Sequence, residues 1–261
     1  MASLLPGRAV RTASCSACRT IASPRPAQLA FPLFRRNYSA PTEQSEPEVD
    51  YTNKPRWSYT PPRTKAPFSL HFNSKRAEYP VNNDPNKLDQ FYIRFLGEGG
   101  DKVLSDEVKW LAVTHKSFDQ GRRGFNDRLA FLGKRIVQLQ TSLALAQSPP
   151  NTFGSATVDP IEREPFAHPA LEGIDNLSAN TKRYLTDKAR LAEVAQQYEL
   201  LKVLRWWPRK PENLEWSGLE LVLAHTMYAL VGAISLEKGG QVANQVARER
   251  ILAPLGIKVA A

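Results

Sequence analysis

Apolar residues recur at helical spacing through most of the chain from about residue 86, and nowhere do they alternate for long enough to suggest a strand. The clearest run follows Asn126 and sets Leu129, Leu132, Ile136, Leu139 and Leu143 three or four positions apart, the stripe that one face of a helix presents. Asn126 is expected to cap this helix and Pro149-Pro150 to stop it. An earlier run, Lys87 to Leu96, carries Leu88, Phe91, Ile93, Phe95 and Leu96, and Gly97 closes it. Ser105-Asp106-Glu107 opens a second helix, with the serine expected as cap and the acids at its positive end. Residues 148–176 are proline-rich and without period, and read as an insertion. Helices resume between Asn180 and Leu204 and break at Arg205–Pro211, which contains Trp206, Trp207 and Pro208. Leu219, Leu223, Thr226, Leu230 and Ala233 mark a long apolar helix. Because it carries Glu220 and His225, it is expected in a core and not across a bilayer. Gly239-Gly240 ends it, and a last helix runs through Val242 and Val246 toward Ile251. The fold class is all-α.

The segment before residue 86 is different in kind. Residues 1–38 hold Arg8, Arg11, Arg19, Arg25, Arg35 and Arg36 and no acid; Glu43 is the first carboxylate. An Arg-rich, Ser/Ala-rich, acid-free start has the composition of a mitochondrial transit peptide. Arg36-Asn37-Tyr38-Ser39-Ala40 has the form of a matrix processing site. Cleavage after Tyr38 would remove six of the charges behind the formal +9, so most of the apparent basicity is an address. It would also remove Cys15 and Cys18, a C-x-x-C with no second pair to complete a metal or redox site.

Residues 39–85 read as an extended basic and aromatic tail. Between Tyr51 and Arg76 stand Lys54, Arg56, Arg63, Lys65, Lys75 and Arg76 with no acid, interleaved with Tyr51, Trp57, Tyr59, Phe68, Phe72 and several prolines. Proline favours extended backbone, and cations beside aromatic rings suit phosphate contacts with base stacking. Lys54, Arg56, Trp57, Arg63, Lys65, Lys75 and Arg76 are therefore the candidate RNA-binding residues. The competing reading packs the rings on the chain's own domain.

Residues 86–261 carry a family resemblance. Thr114-His115-Lys116-Ser117-Phe118, followed by Asn126-Asp127-Arg128-Leu129-Ala130-Phe131-Leu132-Gly133, resembles the ribonuclease III signature, THxSY and then NERLEFLGD. Leu223-Ala224-His225-Thr226-Met227-Tyr228-Ala229-Leu230-Val231-Gly232-Ala233-Ile234 resembles its second block, ADxxEAxxGAI. Members of that family cleave double-stranded RNA with magnesium held by four carboxylates. Carried over position by position, those four are Ala130, Lys134, His225 and Tyr228 here. A hard cation needs oxygen ligands, and none of these residues offers a carboxylate. The resemblance thus implies a ribonuclease III-like helical domain with no catalytic residue, no metal, no cofactor and no small-molecule substrate. Few residues follow the last helix, so the double-stranded-RNA-binding domain of active bacterial members is expected to be missing.

With the transit signal and the tail, the chain resembles the ribonuclease III-like proteins of the mitochondrial large ribosomal subunit, of the short fungal type. That implies a structural role in the matrix, bound to mitochondrial rRNA and to other large-subunit proteins. It also implies a heterodimer with a second ribonuclease III-like ribosomal protein through Leu129, Phe131, Leu132, Ile136 and Leu139. The alternative is an RNA-processing or ribosome-assembly factor, acting as the inert half of a ribonuclease III-type heterodimer.

Overall fold

A computed structural model describes residues 54–61, 64–66, 79–148, 168–171, 174 and 176–257. The expected transit peptide, most of the insertion, and Arg63, Lys75 and Arg76 lie outside them. Among the described residues there are seven α-helices and no strand. They are α1 (Pro85–Leu96), α2 (Asp106–Val113), α3 (Asp127–Gln147), α4 (Ala179–Leu185), α5 (Lys188–Gln197), α6 (Leu219–Lys238) and α7 (Gly240–Val246), the last running on into a π-helical turn over Ala247–Leu252.

Local chemistry accounts for most of these boundaries. Asp84 caps α1 by accepting from the Asn86 N–H at 3.0 Å, and Pro85 takes the first helical position, where a missing N–H costs nothing. Ser178 and Asp187 cap α4 and α5 in the same way, so the expected helical stretch after Asn180 is two helices. Ser105 and Asn126 depart from expectation. Ser105 stands at the start of α2, yet its Oγ donates to Glu237 at 2.6 Å while its N–H donates to the same carboxylate at 2.8 Å. Asn126 precedes α3 but does not cap it. Fully buried, its Nδ2 donates to the Ala112 carbonyl at 2.9 Å and reaches Thr226 Oγ1 at 3.5 Å. Both residues tie separate helices together, where a cap would only finish one.

The core forms around α6, which is buried from Val222 through Ala224 and from Thr226 through Ile234. By length and composition alone this helix could cross a membrane, with a mean hydropathy of 1.6, but 72% of that window is buried inside the protein. Leu191, Ala192, Val194 and Ala195 of α5 pack on one side, and Leu129, Val137, Ala144 and Leu145 of α3 on another. Removing such side chains from water supplies the main driving force, roughly 1.5–3 kcal/mol for each large one. The α3–α6 crossing is close because glycine stands on both sides of it. A Cβ on Gly133 would fall 1.9 Å from the Tyr228 carbonyl oxygen, and one on Gly232 would fall 2.0 Å from that of Leu129. Polar braces finish the frame. Buried Lys109 of α2 pairs with Asp89 of α1 at 2.8 Å and with Asp106 at 3.0 Å. Arg248 donates to Gln140 of α3 at 2.7 Å.

Candidate functional site

The α3–α6 crossing brings together the four positions read from the sequence as lost metal ligands. Ala130 is 2% exposed and contributes only a methyl group to the core. Lys134 lies one turn further along α3 and is exposed. His225 of α6 donates from Nε2 to Asp127 Oδ1 at 3.0 Å, and Lys116 approaches the other oxygen of that carboxylate at 3.9 Å. Tyr228 is turned inward, with Thr186 and Asp187, just past α4, near its hydroxyl.

The electrostatics follow from burial and from two lysines. Burial lowers the His225 pKa, Asp127 pulls it back up, and Lys116 and Lys134 push it down further. His115 is lowered to about 4, first by burial, then by His225 and Lys116. Geometry agrees, since the Ser117 N–H donates to His115 Nδ1 at 3.2 Å, which requires that nitrogen to keep its lone pair. Ser117 Oγ in turn accepts from the Trp207 N–H at 2.9 Å. His115 is thus a structural histidine, committed to the turn that carries it. Burial raises Tyr228 to about 12, so its phenol stays protonated.

These residues do not fit a magnesium ion. Among the described residues the carboxylate beside His225 is Asp127, already engaged by His225 and Lys116, and Lys134 brings a positive charge to the same surroundings. Among the described residues, no group of three or more His, Cys, Asp or Glu could hold a metal. Nor is Glu237 a substitute, being committed to Ser105 on another side of the fold.

A family model described as Ribonuclease-III-like matches residues 105–255, more than half of the chain. The chain belongs to the ribonuclease-III-like family. Among curated proteins it is 45% identical to the large ribosomal subunit protein mL57 of Neurospora crassa, over 98% of this chain and 100% of that one. The mL57 protein of Schizosaccharomyces pombe is 23% identical, over 70% of this chain and 77% of that one. Among solved structures, the nuclease domain of ribonuclease III from Campylobacter jejuni is similar at 23% identity and a TM-score of 0.43, over 62% of this chain and 92% of that one.

Against this ribonuclease-III-like frame, the expected partner face divides. Phe131 and Leu139 stand 65% and 56% exposed on α3, with Leu143 further along and Leu132 and Ile136 half-buried between them. Leu129, expected on the same face, is 7% exposed and packs into the chain's own core. Arg135 lies over the Phe131 ring, 5.3 Å from its centroid.

The tail residues divide as well. Lys54, Arg56 and Lys65 are exposed. Trp57 is half-buried, and one face of its indole stacks on Trp110 of α2, with centroids 4.7 Å apart and planes 21° from parallel, so that face is closed to a base. Trp110 and Arg205 were not singled out from the sequence, although they form the seat for Trp57. The signal available was the cost of leaving several aromatic rings of one segment in water.

Proposed function

We propose that the chain is a structural constituent of the mitochondrial large ribosomal subunit, located in the matrix, that binds rRNA and neighbouring proteins through a ribonuclease-III-like fold without catalytic capacity. The observation that carries this reading is the match to mL57 along essentially the whole of both chains. The chemistry of the residues at the α3–α6 crossing supports it. Magnesium-assisted phosphodiester cleavage needs a cation to neutralise the phosphate and to generate hydroxide, and alanine, lysine, histidine and tyrosine stand where its ligands would be.

RNA is bound through the tail, by Lys54, Arg56, Arg63, Lys65, Lys75 and Arg76, as phosphate contacts that position without reading sequence. The partner is a second ribonuclease-III-like ribosomal protein seated on Phe131, Leu132, Ile136 and Leu139. An apolar stripe this exposed on one helix is unfavourable in water unless another surface covers it. Two copies of this chain would bring Lys134 and Arg135 of each toward a common axis, where like charges losing water repel.

The test is sedimentation of mitochondrial ribosomes through a high-salt wash. The protein stays with the assembled large subunit at near-equal amount to its neighbours. Release into the free pool, or association only with immature particles, would favour the assembly-factor alternative instead.

A further inference from the structure

Arg205 is an unusual cation. It is 2% exposed, and among the described residues none of its hydrogen-bond partners is a carboxylate. A buried charge left without partners is expensive, and the guanidinium hydrogen bonds that Arg205 makes among the described residues all go to the chain ahead of α1. Nε donates to the Asn82 carbonyl at 3.1 Å, Nη1 to the Trp57 carbonyl at 3.3 Å and Nη2 to Asn83 Oδ1 at 3.0 Å. Its guanidinium lies 3.7 Å from the centroid of Trp110, the ring on which Trp57 stacks.

A second set of contacts, sharing the Trp57 carbonyl with the first, forms on the turn after Phe118. Asp119 and Gln120 both hold left-handed backbone, with φ of 46° and 53°, a conformation that costs energy for residues with a Cβ. The Asp119 carboxylate accepts from Thr60 Oγ1 and pairs with Arg122 and Arg123. Arg123 donates to Thr60 Oγ1 at 2.9 Å and to the Trp57 carbonyl at 3.4 Å, while Arg56 donates to the Arg122 carbonyl at 3.3 Å. A cavity of about 210 Å³ remains among Trp57, Trp110, Arg123 and Arg205. This cavity is half open to solvent, and Arg56 and Trp57 of the same segment form part of its wall.

We propose that residues 55–60 are a strap docked on a built surface of Trp110, Asp119, Arg123 and Arg205, and that this docking fixes the point from which the RNA-binding tail sets out. Arg205 and Trp110 are then positioning residues for phosphate contacts made by Lys65 and the cations beyond it. The positioning half rests on the RNA-binding reading above; the docking half does not.

Full-length protein separates the two halves. Trypsin cleaves after Arg56 when the strap lifts, and far-UV circular dichroism reports whether the helical domain stays folded. Trp57→Ala and Thr60→Val, which alter the strap alone, should speed that cleavage about tenfold while the domain still melts cooperatively. Arg205→Met should do the same, because it removes the Nη1 bond to the Trp57 carbonyl, a backbone contact that Trp57→Ala leaves in place. If Arg205→Met does not fold, the strap variants decide. Unchanged cleavage in Trp57→Ala and Thr60→Val would overturn the docking.

For positioning, the probe is mitochondrial large-subunit rRNA transcribed in vitro. Thr60→Val and Arg205→Met should weaken its binding several-fold, although neither residue is a phosphate contact: one is neutral and the other buried. Faster cleavage with unchanged RNA affinity would overturn the positioning half. Failure of the unaltered protein to bind the RNA would overturn the RNA-binding reading while leaving the cleavage result intact.

Discussion

Gly133 of α3 and Gly232 of α6 lie against each other so closely that a Cβ on either would fall about 2 Å from a carbonyl oxygen of the opposite helix, 1.9 Å for the first and 2.0 Å for the second. Each glycine is needed here because of its neighbour's backbone and not because of its own dihedral angles.

Gly133→Ala or Gly232→Ala should therefore destabilise the protein by about 3 kcal/mol or more, since backbone cannot move aside as a flexible side chain can. The double variant should cost less than the sum, because one separation of the helices relieves both clashes. Urea unfolding midpoints measure this. A midpoint unchanged in either single variant would contradict the close crossing.

Stability should fall as pH drops below about 6.5. The folded protein holds His115 near a pKa of about 4, against 6.5 for the free side chain. Between those values the unfolded chain binds a proton that the folded chain does not, so stability is complete above pH 6.5 and is lost progressively toward pH 4. For His115 the loss is on the order of 3 kcal/mol, and His225, also lowered, acts in the same direction. Unfolding followed across this range should show a slope that His115→Gln reduces. A flat profile would count against the buried neutral ring.

Purified protein should leave double-stranded RNA intact in magnesium or manganese. Lys134→Asp should not restore cleavage, because Ala130, His225 and Tyr228 would still offer no carboxylate. Metal-dependent cutting that co-purifies with the unaltered protein would overturn the non-catalytic reading.

Phe131→Asp and Leu129→Asp should behave oppositely, though the residues are neighbours on one helix. The first, 65% exposed, should abolish pairing with the partner chain and leave monomer melting nearly unchanged. The second, 7% exposed, should unfold the domain itself, because a carboxylate would lose its water inside the core. Mass measurement of the isolated protein should show no homodimer. A stable homodimer indifferent to Phe131→Asp would refute the interface and the partner together.

Protein isolated from the matrix should begin at Ser39 or within about ten residues of it, as the arginine-rich, acid-free start implies. N-terminal sequencing that finds Met1 would remove the transit-peptide assignment.

The amino-acid sequence by itself determined most of the helices and the residue types at the four positions that the resemblance marks as ligand positions. A leucine stripe at helical spacing marked α3 as a helix but not its buried face, since Leu139 and Leu143 of that stripe stand 56% and 41% exposed while Gly133, Val137 and Ala144 face the core; the identities of Ala130, Lys134, His225 and Tyr228 need no coordinates to show that none is a carboxylate. The sequence was less informative wherever a residue's role depends on what approaches from elsewhere in the chain. Asn126 and Ser105 have the local signature of helix caps, but Ala112, Thr226 and Glu237 draw their side chains across the fold. Leu129 and Phe131 are both apolar positions near the start of α3, and only the arrival of α6 sends one to the core and leaves the other in solvent. Trp57 carries the composition of a base-stacking residue, while Trp110 and Arg205, 53 and 148 positions away, decide that it stacks at home. Periodicity is a property of one helix, whereas burial and partnership belong to pairs of elements, and the packing that makes those pairs is settled only in three dimensions.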